Sequence, residues 1–265
     1  MTDDSGLVTY VSPAGERLLG WAPALWKGRR VLDLVEPDDR ELLRQALQTE
    51  HEVRGGARAL DLRVRDHTER ERWVEMIVSR RENGTALPGW VLNLREITER
   101  KALEDELSHQ AFHDALTGLA NRALFLNRVE HAVRRRDRAS RPLGVIFCDI
   151  DDFKLVNDSL GHAAGDELLL EVSRRLVGIM RDGDTAARLG GDEFALLLED
   201  VGGQDGLRTA GERILETLQQ PMMLHGSLVH VSVSVGGALH QRGEAAQVLL
   251  RNADLAMYTA KDGGK

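Results

Sequence analysis

Two carboxylates stand in a glycine turn directly ahead of an apolar run in the stretch Arg188-Leu189-Gly190-Gly191-Asp192-Glu193-Phe194-Ala195-Leu196-Leu197-Leu198. Adjacent glycines can adopt positive φ and let a ligand approach the backbone closely. The run from Phe194 to Leu198 has the length and character of a buried strand. We therefore expect Asp192 and Glu193 at the tip of a hairpin, where they form either a ligand site or an ordinary solvated turn.

A second acidic cluster favours the ligand site. The apolar run Leu143-Gly144-Val145-Ile146-Phe147-Cys148 is typical of a central strand, and Asp149-Ile150-Asp151-Asp152-Phe153-Lys154 follows it directly. Carboxylates at the end of a buried strand usually pair with a cation, because desolvation otherwise raises their pKa. Mg²⁺ prefers such oxygen ligands together with substrate phosphates. Downstream, the pattern predicts a polar loop from 155 to 167 that opens a helix, with Asn157 and Asp166 near the helix start.

These stretches resemble the GGDEF family, the diguanylate cyclases, over about residues 108 to 265. Five motifs in the family's order carry the resemblance: Asp114-Ala115-Leu116-Thr117-Gly118-Leu119-Ala120-Asn121-Arg122, Asp149 to Lys154, Asn157 through Asp166, Gly190 to Phe194, and Ala253-Asp254-Leu255-Ala256-Met257-Tyr258-Thr259-Ala260-Lys261. The resemblance implies an α+β domain with a palm-like, antiparallel-centred sheet of β-α-β-β-α-β type. Hydrophobic patterning gives a compatible order: strand to 149, helix from 166, strands either side of 191, helix from 206, strand 228 to 239 and helix from 246.

The family's reaction condenses two GTP molecules into cyclic di-GMP and two pyrophosphates. The 3′-hydroxyl of one GTP attacks the α-phosphorus of the other, and divalent cations, Mg²⁺ or Mn²⁺, clamp the attacking and leaving oxygens. The resemblance assigns metal binding to Asp149, Asp192 and the backbone carbonyl of Ile150. It makes Asp192 catalytic as well, with Glu193 in a supporting role and Lys154 neutralising the triphosphate.

Substrate contacts also follow from the resemblance. Lys261 would neutralise the triphosphate, although a solvated surface lysine is the alternative, and Phe153 belongs to the same substrate site. Lys265 stands where many relatives carry an arginine that contacts phosphate. Asp166 can accept the guanine N1–H and exocyclic amine, Asn157 adds a mixed donor and acceptor, and adenine would leave the carboxylate facing an acceptor nitrogen. A loop turn and a helix N-cap are the alternative roles of Asn157 and Asp166.

A regulatory motif lies upstream of the glycine turn, in Arg181-Asp182-Gly183-Asp184. The family's inhibitory product site is an Arg-x-x-Asp at this offset from the double glycine. The resemblance therefore assigns Arg181 and Asp184 to cyclic di-GMP, with Arg188 as a third contact. Arginine forks bind phosphates and stack on guanine faces, which suits this ligand.

The first part of the chain has a different character. Four short alternating runs predict a half-buried antiparallel sheet: Leu7 to Val11, Ala59 to Val64, Trp73 to Val78, and Trp90 to Leu94. Residues 1–96 resemble a PAS sensor domain, an antiparallel sheet with flanking helices, through Asp4 to Ala14 with Leu19-Gly20-Trp21, Val35 to Asp39, and Asn93 to Lys101. PAS domains hold haem, flavin, a small ligand or nothing, so the PAS ligand is unknown. The single cysteine, Cys148, lies outside this region, which disfavours a cysteinyl-flavin photosensor.

The chain thus divides into an N-terminally incomplete PAS domain (1–96), a signalling-helix linker (97–110) and a GGDEF domain (111–265) that stops inside the family's closing motif. Leu103 and Leu107 lie four apart on one face of the linker helix. Each half-site of a cyclase holds one GTP, so we expect a homodimer. The segment 220–236 resembles tandem proteins in which an EAL phosphodiesterase domain follows, which indicates that the natural protein continues.

Composition agrees with a two-domain cytoplasmic protein. The net charge of −8 argues against nucleic-acid binding, and no apolar run is long enough to span a bilayer. No signal-peptide pattern is present at the start.

Three functions stay open: an active cyclase controlled by its PAS domain and by product; a silent GGDEF domain that binds GTP or cyclic di-GMP to regulate an EAL domain; and a PAS-driven scaffold without nucleotide binding. The retained Asp149, Lys154 and Gly190 to Phe194 favour the first.

Overall fold

The computed structural model describes residues 1–48, 57–80, 88–139 and 142–263. The chain splits into two compact units, Met1–Leu107 and Ser108–Lys265. Each unit has its own hydrophobic core, with one cluster of buried side chains in the first unit and two in the second among the described residues. No helix in these described ranges combines the length and the apolar character that crossing a membrane requires.

The first unit is built on an antiparallel sheet. Its elements, in chain order, are β1 (Thr2–Asp3), α1 (Pro13–Leu19), α2 (Pro23–Trp26), 3₁₀ turns at Val31–Leu34 and Pro37–Asp39, α3 (Arg40–Gln48), β2 (Arg58–Arg65), β3 (Glu71–Arg80) and β4 (Gly89–Glu96), after which α4 (Thr98–Phe112) begins. The strands lie in the order β1-β4-β3-β2, with antiparallel neighbours. Val74, Met76 and Val78 alternate with more exposed residues along β3 and are buried. The predicted half-buried sheet is confirmed.

The first predicted strand of this unit is wrong in position. Leu7 and Val8 form isolated bridges rather than a strand, and β1 is the strand at this edge. The carboxylate of Asp3 accepts hydrogen bonds from the N–H groups of Ser5 and Leu7, and Gly6 has φ 79°. This turn reverses the chain right after β1 and returns Val8 beside Thr2, where the two residues form a single bridge and not a continuous ladder.

The second unit contains the remaining elements. They are α5 (Arg122–Ala139), β5 (Leu143–Ile150), α6 (Phe153–Leu160), α7 (His162–Ile179), β6 (Thr185–Gly190), β7 (Glu193–Glu199), α8 (Gly203–Leu218), β8 (Met222–Leu224), β9 (Ser227–Val229), β10 (Val233–Leu239) and α9 (Ala246–Asp262). The main sheet has the order β10-β5-β7-β6 with antiparallel neighbours, and β8 pairs with β9 separately. The predicted β-α-β-β-α-β core is therefore confirmed.

Strand β5 explains why the central apolar run has no polar alternation. All eight of its residues are buried. Ile146 and Cys148 belong to a core cluster with residues of α7 and α8, whereas Val145 and Phe147 belong to a cluster with residues of α5 and α9. Helices cover both faces of the strand, so apolar side chains are favoured at every position.

Two details of the predicted pattern are wrong. The expected polar loop from 155 to 167 consists of α6 and α7, which Gly161 separates at φ 86°. Asn157 accordingly lies in a helix, and Asp166 lies inside α7, whose N-cap is Gly161. The expected strand from 228 to 239 is divided, because the positive φ of His225 and Gly226 turns β8 back onto β9 before β10 begins at Val233.

Gly236 of β10 lets α9 pack closely against the sheet. A Cβ on Gly236 would lie 1.9 Å from the backbone nitrogen of Met257 in α9. Helix backbone cannot turn aside as a flexible side chain can, so α9 would have to move away from β10. Because α9 also carries Lys261, this contact fixes where that lysine lies.

We expect Gly236→Ala to lower the free energy of unfolding of the second unit by about 1–3 kcal/mol, the usual cost of overpacking. Urea unfolding followed by circular dichroism and by tryptophan fluorescence tests this. The four tryptophans, at 21, 26, 73 and 90, all lie in the first unit. The circular dichroism transition should therefore shift while the fluorescence transition stays in place.

Gly178→Ala in α7 is the matched control, because a Cβ there meets nothing within 4 Å. Replacing a helical glycine by alanine should leave stability unchanged or raise it by up to about 1 kcal/mol. A Gly236→Ala protein that unfolds with the parent in both signals would contradict the close approach.

Candidate functional site

The acidic site lies where β5 leaves the core. Asp149 is opposite Glu193 in β7 and opposite Ser234 in β10. Its side chain is 9% exposed, and its Oδ1 accepts a hydrogen bond of 2.5 Å from Nζ of Lys261 in α9. The backbone N–H of Ile150 donates to the carbonyl of Asp192 at 3.3 Å, which joins the end of β5 to the glycine turn. Strand and turn thus bring Asp149 and Asp192 together where the central strands β5 and β7 meet the glycine turn. We call this end of the sheet the acidic edge.

The electrostatics of this edge are unfavourable for its acids. Burial raises the pKa of Asp149, the hydrogen bond from Lys261 opposes that rise, and the nearby carboxylates of Asp192 and Asp151 add to it. The pKa of Lys261 is raised in turn, chiefly by its hydrogen bond to Asp149. Three carboxylates therefore face one ammonium group, and a further cation would relieve their repulsion.

Asp151 shows that the edge suits a cation. Its side chain is buried, and Oδ1 accepts a hydrogen bond of 2.8 Å from Oγ of Ser234. Oδ2 is buried without a hydrogen-bond partner among the described residues. Within those residues no three His, Cys, Asp or Glu side chains are grouped to hold a metal on their own. Mg²⁺ needs no such group, since one or two carboxylates plus phosphates and waters suffice, so the residues fit it.

Helix α6 begins immediately beyond this edge. Asp152 precedes it in the left-handed region at φ 55°, and the N–H of Leu155 makes the first helical bond, 2.8 Å to the carbonyl of Asp152. The N–H groups of Phe153 and Lys154 come before that bond and are suited to an anionic ligand. Lys154 is exposed and Phe153 is half-buried against the core.

Asn157 and Asp166 are brought near each other by the contact of α6 with α7. A Cβ on Gly165 would lie 2.0 Å from Oδ1 of Asn157, so the absence of a side chain there leaves room for the amide. Asp166 is the next residue of α7 and is exposed, while Asn157 is half-buried. The two polar groups thus flank one helix junction.

Arg181 and Asp184 also lie together. The N–H of Arg181 donates to Oδ2 of Asp184 at 3.0 Å, and the N–H of Glu199 donates to Oδ1 at 3.1 Å. Both residues line a cavity of about 160 Å³ that Arg213 of α8 also lines. No local motif marks Arg213, so the sequence alone does not indicate that it lies beside this pair.

The structure does not bring Arg188 to this pair. Arg188 lies near the other end of β6, where its guanidinium donates to the carbonyl of Gly191 and to the carboxylate of Asp114. Glu193 is half-buried and lies 3.6 Å from the guanidinium of Arg122. Lys265 lies outside the described residues.

The first unit contains a cavity of about 150 Å³, lined largely by apolar side chains. Thr2 and Trp26 line it, and Oγ1 of Thr2 and Nε1 of Trp26 are buried without hydrogen-bond partners among the described residues. A space of this size holds a molecule about as large as benzene. A haem macrocycle or a tricyclic flavin is much larger.

Acids at one edge of an antiparallel sheet, with a lysine and a helix N-terminus beside them, are an arrangement suited to a divalent cation and a phosphate-bearing ligand. Residues 111–265 match the family model described as "Diguanylate cyclase, GGDEF domain", and residues 1–97 match the PAS fold. The chain belongs to the GGDEF family.

Similar proteins agree with this assignment. Diguanylate cyclase TpbB of Pseudomonas aeruginosa is 46% identical over 165 residues, which cover 60% of this chain and 38% of TpbB. The bifunctional diguanylate cyclase/cyclic di-GMP phosphodiesterase MucR of the same organism is 44% identical over 161 residues, covering 60% of this chain and 23% of MucR. DgcB of Caulobacter crescentus, solved as coiled coil and GGDEF domain with c-di-GMP, gives a TM-score of 0.59 at 26% identity, covering 64% of this chain and 90% of that one. The matches therefore span 38% of the length of TpbB and 23% of the length of MucR.

The raised pKa of Asp149 has a consequence for stability. The ionised form of Asp149 is less favourable in the folded protein than in the unfolded chain. Asp149 therefore contributes to the free energy of unfolding while it is protonated, and this contribution is lost as pH rises through the folded pKa. Without divalent cations, we expect Asp149→Asn to be more stable than the parent at neutral pH, and this gain should shrink as pH falls. Thermal melting with a chelator across pH 4 to 8 measures the difference.

Asp205→Asn is the control, because the Asp205 side chain is 97% exposed and replacing it relieves no buried charge. Adding Mg²⁺ with a non-hydrolysable GTP analogue should stabilise the parent and not Asp149→Asn. An Asp149→Asn protein less stable than the parent at neutral pH would show that the Lys261 ion pair outweighs the burial of the carboxylate.

Proposed function

We propose that this chain is a diguanylate cyclase that condenses two GTP molecules into cyclic di-GMP with release of two pyrophosphates. The observation that carries the proposal is the edge at the end of β5, where Asp149, Asp151 and Asp192 approach one another beside Lys261. Relatives named diguanylate cyclase and a matching GGDEF family model support it.

The residues divide the chemistry as follows. Asp149, Asp192 and the carbonyl of Ile150 hold divalent cations, for which we propose Mg²⁺ or Mn²⁺. When bound, the cations lower the pKa of the attacking 3′-hydroxyl and stabilise charge on the α-phosphate and pyrophosphate. Glu193 supports this acidic turn at its outer side, where Arg122 approaches it.

Basic and amide groups position the substrate. Lys154 and the N–H groups at the start of α6 bind the triphosphate, beside the ring of Phe153. Lys261 balances the charge of Asp149 in the metal-free protein and contacts phosphate in the loaded site, where Lys265 adds a second ammonium. Asp166 and Asn157 select guanine, because adenine offers no proton to the carboxylate where guanine has N1–H.

One half-site binds one GTP, so the reaction requires two chains facing each other. Leu103 and Leu107 of α4 are 52% and 65% exposed, an apolar stripe that a homodimer would cover.

We propose that the PAS unit controls this pairing and that a ligand of about benzene's size, with an acceptor for Nε1 of Trp26, occupies its cavity. The composition suits the cytoplasm. MucR is named a bifunctional diguanylate cyclase/cyclic di-GMP phosphodiesterase, which supports the proposal that an EAL phosphodiesterase domain acts together with this GGDEF domain.

Incubation of the purified chain with GTP and Mg²⁺ tests the activity directly. The parent should produce cyclic di-GMP, resolved chromatographically, and ATP should give no cyclic dinucleotide. Asp192→Ala should lower the rate by at least about 100-fold, since it removes an oxygen that holds the reacting phosphate's cation.

That assay, combined with a measurement of GTP binding, distinguishes the three candidate functions. GTP binding without product would favour the silent domain that regulates an EAL neighbour, and absence of nucleotide binding would favour the scaffold. Light scattering that shows a monomer during turnover would contradict the homodimer.

Product inhibition is the second test. Arg181 and Asp184 are proposed to bind cyclic di-GMP, so Arg181→Ala should remove a charge-assisted contact and raise the inhibitory concentration by about tenfold or more. The initial rate should stay unchanged, because Arg181 lies at the far end of β6 from the acidic edge. Arg208→Ala, an exposed arginine of α8, is the control. Equal inhibition of parent and Arg181→Ala would place the inhibitory site elsewhere.

A further inference from the structure

Arg188 joins two segments that are distant in sequence. Its Nε and Nη2 donate to the carbonyl oxygen of Gly191 at 3.0 and 2.8 Å, and its Nη1 donates to Oδ1 of Asp114 at 3.0 Å. The side chains of Arg188 and Asp114 are only 12% and 22% exposed. A largely buried fork with three directed hydrogen bonds holds its partners in a fixed arrangement, unlike an exposed ion pair.

The Asp114 end of this link belongs to the turn that follows α4. Oδ1 of Asp114 also accepts from the N–H and the hydroxyl of Thr117, at 2.9 and 2.7 Å. Burial raises the pKa of Asp114, but the hydrogen bonds from Thr117 and Arg188 outweigh it and hold that pKa below its ordinary range. Nδ2 of Asn121 donates to the carbonyl of Ala111 at 2.8 Å, which ties the same turn to the last turn of α4.

The Gly191 end belongs to the acidic turn. The carbonyl of Gly191 is part of the peptide group that leads into Asp192, and because a peptide is planar, holding its oxygen fixes the plane of that group. Gly190 and Gly191 have φ of 145° and 54°, so this backbone has little intrinsic preference to hold it. Arg188 on one side and the N–H of Ile150 on the other therefore fix the backbone of Asp192.

We propose that Arg188 is a positioning residue that sets the direction of the Asp192 carboxylate and makes it depend on the turn after α4 through Asp114. The catalytic consequence rests on the proposed cyclase function. A displacement of the last turn of α4 reaches the acidic edge through Asn121, Asp114 and Arg188, with no contact between that helix turn and substrate. Arg188 thus belongs to the control of the site rather than to product binding.

Two conservative variants break the link at different points. Arg188→Lys keeps a positive charge for Asp114 but lacks the fork that holds the Gly191 carbonyl as well. Asp114→Asn keeps an oxygen for Thr117 but loses the charge that orients Arg188. Arg128→Lys is the matched control, because Arg128 donates to Oγ1 of Thr185 at the other end of β6.

The first measurement needs neither metal nor substrate. Hydrogen–deuterium exchange of the metal-free full chain should show faster exchange at residues 189–193 in Arg188→Lys and also in Asp114→Asn, although Asp114 does not touch that turn. Arg128→Lys should leave this segment unchanged. Thermal melting establishes that each variant is folded, and if Arg188→Lys does not fold, Asp114→Asn carries the test alone.

The second measurement is kinetic. Loss of a residue that orients a metal ligand typically costs about 10–100-fold, so kcat should fall by that factor in both variants and the Mg²⁺ concentration at half-maximal rate should rise. The KM for GTP at saturating Mg²⁺ should change by less than about threefold, since neither residue contacts the nucleotide. The double variant should lose about as much kcat as the worse single variant, because both changes break one link.

The outcomes separate this inference from the proposed function. A parent that makes no cyclic di-GMP overturns the cyclase, while the exchange experiment still reports on the link. A parent that turns over GTP, with both variants retaining parental exchange at 189–193 and kcat within about twofold, overturns the positioning role. Multiplicative losses in the double variant would show that Asp114 and Arg188 act separately.

Discussion

Burial of negative charge where β5 ends is the constraint on which the second unit depends. β5 is central and buried along its whole length, so Asp149, the acid near its end, has little access to water. The turn that carries Asp192 and the buried Asp151 add charge of the same sign. Such an edge is stable only with a counter-charge, and Lys261 supplies one from α9. The position of α9 is therefore an electrostatic requirement as well as a packing one.

Two glycines allow neighbouring groups to approach the backbone closely, because they carry no side chain. Gly236 lets the backbone of α9 come near β10, and Gly165 leaves room for the amide of Asn157. The first contact, at Met257, lies about one helical turn from Lys261, and the second lies beside Asp166. Packing and chemistry are thus linked through these contacts. Here glycine is needed because it lacks a side chain, whereas in a turn it is needed because it can adopt a positive φ.

Much of the fold could be predicted from the sequence because its strands have clear patterns. The apolar run before Asp149 and the run after Glu193 became β5 and β7, and the alternating runs of the first unit became β2, β3 and β4. The division of α6 from α7 was missed, since the polar residues of a short helix look like a loop. The break between β9 and β10 was missed because adjacent apolar residues hide the change of partner strand.

For the site, the candidate acids and lysine were found in local motifs, but contacts over long sequence distances were not. Asp151 stood in a quoted motif, yet only the structure shows its buried oxygen and its bond to Ser234. The resemblance grouped Arg188 with Arg181 as a third product contact, whereas Arg181 precedes β6 and Arg188 lies near the other end of that strand. Its actual partner, Asp114, is 74 residues away.

The two basic residues of the second unit illustrate a difference in chemistry. Lys261 is a point charge on a flexible stem, 37% exposed, and a cation or a phosphate can take over either side of its pairing with Asp149. Arg188 is a rigid fork that bonds a carbonyl and a carboxylate at once, so nothing that binds at the edge can replace it. The catalysis that we propose needs both properties: a counter-charge that substrate can displace, and a frame that stays in place. Because substrate would displace the counter-charge at every turnover, we propose that regulation from α4 acts on the frame that Arg188 maintains.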